Sequence, residues 1–181
     1  MSNQGGRSRA KQRAKERLEK QQDIFRRKNN LLKEIRKYND TALSTVCDPL
    51  LQSDDKSFID KMKKILLLSE NGVRISANQI GITKRVIIIS PDRKTVKVMI
   101  NPEIIDHSNE TSISVEGCLS YPGIITQVPR YNRISVEYVD EQFNRWMDDF
   151  EGLAARIIAH ETDHLNAICH NRDEWIKNKV Q

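Results

Sequence analysis

His160-Glu161-Thr162-Asp163-His164 is the run from which the rest of the chain is read outward. Residues four apart share one face of a helix, so His160 and His164 can hold one metal ion together. Glu161 can then reach a water at that metal, as in a two-histidine metal helix with a glutamate general base. The same spacing also arises on an ordinary solvated helix face. A catalytic site of this kind takes three protein ligands and keeps one position open. The run lies within residues 150–166, where Leu153, Ile157 and Leu165 recur at helical spacing as inward positions.

The surrounding chain has 181 residues, 38% hydrophobic and 30% charged, which suits one domain with an appended segment. Residues 1–38 hold 13 Lys/Arg against 4 Asp/Glu, a net of +9, while residues 39–181 hold 17 against 21, a net of −4. The formal +5 is therefore an acidic domain carrying a basic arm. No apolar run reaches the ~18 residues of a membrane span, and the first residues lack the apolar core of a signal peptide. Three cysteines, Cys47, Cys118 and Cys169, predict a reducing compartment rather than a disulfide framework. The expected location is cytoplasmic.

Residues 1–8 read as disordered from their Gly, Ser and Asn. Residues 9–38 are rich in helix formers, with Leu18, Phe25 and Leu32 seven apart and Ile24, Leu31 and Ile35 beside them. That narrow stripe fits a helix resting on the body, a nucleic-acid contact or a short coiled coil. Asn39-Asp40-Thr41 reads as a capped linker. Residues 54–70 carry apolar positions at helical spacing, ended by Asn71-Gly72. Residues 84–90 and 95–101 are β-branched runs joined through Pro91-Asp92-Arg93-Lys94, a hairpin signal. Residues 111–116 and 133–139 alternate like half-buried strands, 143–147 is strand-like, and Pro122-Gly123 marks a turn. Helices and strands segregate along the chain, which predicts an α+β fold with antiparallel sheets packed around the histidine helix.

Two residues compete for the third ligand. His170 extends the run to HETDHLNAICH, near the HExxHxxGxxH pattern of metzincin proteases. That pattern needs a Gly where Ala167 stands, and Ala resists φ > 0. It also needs a Met-turn, and no Met follows His170. Cys118, between Gly117 and Leu119 just before the Pro-Gly pair, offers a thiolate, or else a small buried core sulfur.

Glu116-Gly117-Cys118-Leu119-Ser120 with the following Tyr121-Pro122-Gly123, and His160-Glu161-Thr162-Asp163-His164-Leu165, resemble the second and third signature motifs of peptide deformylases. Gly72-Val73-Arg74-Ile75-Ser76-Ala77-Asn78-Gln79 resembles the first, whose usual form is GxGxAAxQ; Arg74 replaces its second Gly and Ser76 its first Ala. The third motif has Ala159 and Ala167 where Gln and Gly are usual. The resemblance spans residues 40–170 and implies a metal held by Cys118, His160 and His164, natively often Fe²⁺ and exchangeable for Ni²⁺, Co²⁺ or Zn²⁺. It implies Glu161 as general base, with the Gln79 side-chain amide and the Leu119 backbone N–H as oxyanion donors. Gly72, Val73, Arg74, Ile75, Glu116 and Gly117 are assigned to the substrate cleft, and Leu153 and Ile157 with Val73 to a methionine pocket. Glu116 and Arg130 are expected to pair. The implied reaction removes formyl from an N-formyl-methionyl peptide, releasing formate. One thiolate and two neutral imidazoles would leave a divalent ion with net +1, enough to acidify a bound water.

Rival readings are an HExxH peptidase using His170, and a weakened deformylase-like protein whose arm binds ribosomes or RNA. On the leading reading the chain is a monomer with a hydrolase domain over 39–181. Residues 1–38 then form a partly disordered or helical extension that contacts ribosomal RNA through counterion release.

Overall fold

The computed structural model describes residues 4–70 and 72–179. The chain divides into two units, Met1–Glu34 and Ile35–Gln181. The first is α1 (Gln4–Leu32). Residues 4–8, expected to be disordered from composition, form its first turns. A helix already nucleated over the Ala-, Arg- and Lys-rich run can propagate backwards one residue at a time. Residues 1–3 of that expectation lie outside the described residues. Asp23 pairs with Arg26 and Arg27 on the next turn, each at 2.7 Å.

The second unit begins with Ile35, buried, and runs through a 3-10 turn, Thr41–Ser44, capped by Asp40, whose carboxylate accepts from the Ala42 N–H at 3.0 Å. α2 (Ser57–Leu68) is shorter than the apolar spacing of 54–70 suggests. Asp55 stays outside and accepts from the Ser57 N–H at 2.9 Å. The helix ends at Ser69 rather than at Asn71-Gly72, because the Ser69 N–H closes on the Ile65 and Leu66 carbonyls; Asn71 lies outside the described residues. Gly72 is needed for close approach, since a Cβ there would come within 2.8 Å of Ser69 Cβ.

Strands follow: β1 (Arg74–Ser76), β2 (Val86–Ile89), β3 (Lys97–His107), β4 (Thr111–Cys118), β5 (Tyr121–Tyr131), β6 (Arg133–Val139) and β7 (Arg145–Glu151). Then come α3 (Gly152–Leu165) and α4 (His170–Lys179). Among the described residues, one antiparallel sheet has the order β1-β2-β3-β6-β7, and β4-β5 form a separate ribbon. The fold is α+β with antiparallel sheets. β2 is buried along its whole length, because α2 and α3 both contact the β1–β2 end of the sheet. Ile87 and Ile89 point with Met99, Ile134 and Val136 onto Ala155, Ile157, Ile158 and Leu165 of α3. By strand alternation Val86 and Ile88 face the opposite side.

The β2–β3 hairpin forms where the β-branched runs predict it. Three readings change. Residues 111–115 of β4, expected to be half-buried, are exposed, because a two-stranded ribbon has no second layer to cover it. Pro122-Gly123 is not the turn: Leu119-Ser120 turns the chain, and Gly123, at φ 80°, sits inside β5. The strand-like 143–147 moves on to β7, since Phe143, at φ 64°, belongs to the preceding turn. No helix among the described residues is long and apolar enough to cross a membrane.

Candidate active site

α3 is a two-faced helix. Burial starts at Ala155, and Ala155, Ile157, Ile158 and Leu165 cover the sheet. Arg156, His160 and His164, four apart, share another face and reach the β4–β5 ribbon. Leu153, expected to be inward, is 55% exposed, because the first turn of α3 precedes the buried stretch.

The ribbon returns one buried carboxylate. Glu116 is 2% exposed. It pairs bidentately with Arg130, Nε to Oε1 and Nη2 to Oε2 each at 3.1 Å, and takes Arg156 Nη1 on Oε1 and His160 Nδ1 on Oε2, both at 2.8 Å. Arg130 also bonds Asp163, one turn along α3. Burial would raise the Glu116 carboxyl, but hydrogen bonds from His160 and Arg130 and the Arg130 charge outweigh it and hold the group well below the usual carboxylate range. An ionised Glu116 makes Nδ1 of His160 the donor and leaves the Nε2 lone pair free, the arrangement that orients a metal-binding imidazole.

That lone pair has no partner. His160 Nε2, Glu161 Oε2 and His164 Nδ1 are buried polar atoms without a hydrogen bond. Burial lowers the pKa of His160 to about 4 and that of His164 well below its ordinary value, so both rings are neutral near pH 7. Burial also raises Glu161 to about 7, against the opposing Arg74 charge. Ligand atoms of His160, Glu161 and His164 lie within 4.8 Å of one another, and so do those of Cys118, His164 and Cys169. Cys118 Sγ is 3.2 Å from His164 Nε2. Neutral imidazoles, a thiol that metals bind as thiolate and orphaned buried atoms together fit a divalent cation.

The first motif forms the opposite wall. A 3-10 turn, Ala77–Ile80, starts at Ser76, whose N–H donates to Gln79 Oε1 at 3.0 Å. Gln79, 1% exposed, then donates from Nε2 to Ser120 Oγ at 3.1 Å and Cys118 Sγ at 3.4 Å. Asn78 donates to the His164 carbonyl at 2.7 Å. Arg74 crosses the gap, with Nε 3.2 Å from Glu161 Oε1 and Nη2 donating to the Gly117 carbonyl at 2.8 Å. A Cβ at Gly117 would meet nothing within 4 Å, so β4 presents open space there. Leu119 lies in the turn after Cys118, its carbonyl accepting from Lys37 Nζ at 2.7 Å. Ile75 and Ile157 are fully buried, Ile157 in the sheet–α3 core, with Val73 packed against that core.

His170 opens α4, 3.4 Å from Asp163, and belongs to neither constellation. The objection that Ala167 resists a left-handed turn is corrected by its φ of 60°. The Ile168 N–H bonds to the Asp163 carbonyl at 2.9 Å and the Ala167 N–H to the His164 carbonyl at 3.1 Å, a Schellman closure that offsets the ~1–2 kcal/mol cost for a non-glycine residue.

Sequence reasoning missed Arg156, Asn171 and Cys169. Arg156 is signalled by its place four residues before His160 in an otherwise apolar run. Asn171, fully buried, donates to the Glu116 and Ile124 carbonyls at 2.9 and 3.1 Å and has no sequence signal.

Residues 32–174 match the model of the family "Polypeptide deformylase". A peptide deformylase of Brachyspira hyodysenteriae is 39% identical over 149 residues, 76% of this chain and 78% of that protein. The actinonin-bound crystal structure of a peptide deformylase from Acinetobacter baumannii is similar at a TM-score of 0.69 with 36% identity, covering 75% of this chain and 92% of that one. The Met-Ala-Ser-bound structure from the same organism is similar at 0.66 with 33% identity, over 74% and 92%.

Proposed function

The chain belongs to the polypeptide deformylase family, and from that premise we propose that it hydrolyses the N-formyl group of N-terminal methionine on nascent polypeptides, releasing formate. The observation that carries this reading is the orphaned Nε2 of buried His160, oriented by Glu116 and set beside Glu161. Cys118, His160 and His164 would hold a divalent ion, Fe²⁺ by family resemblance, with Zn²⁺, Ni²⁺ and Co²⁺ as substitutes. Such an ion supplies an acidified water and a polarised formyl carbonyl.

The protein's own groups do the rest. Glu161, with Oε2 unpartnered, accepts the proton of the attacking water and delivers it to the leaving nitrogen. Gln79 Nε2 and the Leu119 N–H stabilise the developing oxyanion; the Ser76 N–H fixes the Gln79 amide so that its NH₂ faces Cys118. Among the described residues β4 pairs only with β5, and β1 is a sheet edge. An extended peptide entering between these two edges adds a strand and displaces Arg74 from the Gly117 carbonyl. Val73 and Ile157 line the methionine side chain, with Leu153 at its outer rim.

The enzyme acts as a cytoplasmic monomer, and its net +9 arm docks on ribosomal RNA. The test is anaerobic purification with metal analysis, then formate release from formyl-Met-Ala-Ser. One equivalent of metal and metal-dependent formate release are expected; a metal-loaded protein that releases no formate overturns the reading. For the arm, co-sedimentation with ribosomes should weaken as salt rises and disappear in a chain starting at Ile35. Unchanged binding by the shortened chain would assign the arm another purpose.

A further inference from the structure

We propose that Cys118 and Cys169 are an oxidative modification site, closing a reversible disulfide that withdraws the Cys118 sulfur from metal binding. Its formation rests on the two sulfurs alone; only its consequence rests on Cys118 being a ligand.

Their Sγ atoms lie within 4.8 Å of each other. Cys169 is 5% exposed and packs with Leu43 and Tyr121, and Cys118 is packed against the same group. Cys118 ends β4. The Schellman closure at Ala167 turns the chain after α3 and carries Cys169 back to it. Cys169 stands between α3 and α4, outside any strand ladder, so its side chain can rotate without breaking one. A disulfide needs an S–S distance of about 2.0 Å, which side-chain rotation and a small shift of this connection supply.

The two residues differ in exposure: Cys118, at the end of β4, is half-buried, while Cys169 is buried. A small oxidant such as hydrogen peroxide meets Cys118 first. The Cys118 thiolate attacks one peroxide oxygen, the O–O bond breaks, and a sulfenic acid and hydroxide form. The Cys169 thiolate then attacks that sulfur, the S–O bond breaks, and the S–S bond forms. The two thiol protons end on the two oxygens, so two thiols are oxidised by two electrons and peroxide is reduced to two waters. Without a second thiol, the sulfenic acid proceeds to sulfinic and sulfonic acids that thiols do not reverse. Thiol exchange reopens a disulfide. Cys47, buried among Ile87, Ile89 and Leu165, is the internal control.

The test treats the full metal-loaded chain, and the same chain after a chelator, with hydrogen peroxide. Peptide mass spectrometry follows under non-reducing conditions. The expected product joins the Cys118 and Cys169 peptides, with Cys47 still a free thiol. Metal is released as it forms, and dithiothreitol restores binding. In Cys169→Ser, Cys118 should reach sulfinic and sulfonic acid at least ~10-fold faster, and dithiothreitol should not restore metal binding. Sulfonic acid at Cys118 in the unaltered chain at the rate of Cys169→Ser overturns the proposal, and that comparison is complemented by the cross-linked peptide, which needs no variant. A disulfide that forms without metal release keeps the proposal's pairing and overturns Cys118 as a ligand.

Discussion

Two walls close on the Glu161 carboxylate, and they are built from different material. The α3–ribbon wall is a set of short, buried, mutually satisfied contacts, with Glu116 holding Arg130, Arg156 and His160 at 2.8–3.1 Å. The β1 wall reaches the same carboxylate through one long side chain, Arg74, at 3.2 Å. Removing one member of the first leaves an unpaired buried charge. Moving Arg74 exchanges one ion pair and one hydrogen bond for water. On the proposed function the labour divides: the rigid wall would fix where chemistry happens, and the movable one would govern what is admitted.

The sharpest way to break this division is at the ligands. Cys118→Ala or His164→Ala should reduce bound metal from about one equivalent to near none by elemental analysis, because a three-ligand site has no redundancy; His170→Ala should keep its metal. If His170→Ala alone loses it, the rigid wall has been misassigned. Next in size is Glu161→Gln, which should retain metal and lose about 10²–10⁴-fold in formate release. Gln79→Ala should lower kcat by about 10²–10³-fold with little change in KM; a change confined to KM would make it a ground-state contact. Arg156→Met should weaken metal affinity by about 10–100-fold, read in a chelator competition, since it acts through Glu116 on His160. The mildest expectation tests the movable wall. Arg74→Gly should lower KM about fivefold, near 1 kcal/mol, with kcat within about twofold. A collapse of kcat instead would place Arg74 among the rigid parts.

The legibility of these walls in the sequence follows the range of the signals. The histidine helix shows because its periodicity is local, and the β2–β3 hairpin because both runs are β-branched and close together. β5 hides behind Pro122-Gly123, whose turn chemistry is absorbed as a left-handed residue within a strand. Leu153 keeps the helical spacing of a buried position, but spacing does not say where the sheet stops. The first motif singles out Gln79, while its amide orientation depends on a cap formed only once Ser76 is in place. Asn171 and Cys169 become meaningful only after the turn at Ala167 has folded α4 back. That turn is closed by the Ala167 and Ile168 N–H groups on the His164 and Asp163 carbonyls, where an alanine does a glycine's work.

The short stretch after α1 has a bearing on how the protein can be cut and grafted. The Arg36 N–H donates to the Gln79 carbonyl at 2.7 Å, and Lys37 Nζ to the Leu119 carbonyl at 2.7 Å. Both segments proposed to donate to the oxyanion are thus tethered by residues that, on charge alone, belong to the basic arm. A truncation placed where the charge changes would untie them, and lost turnover would then be mistaken for a catalytic role of the arm. The clean seam lies four residues earlier, between Glu34 and Ile35, and a foreign N-terminal segment joined there leaves both tethers in place.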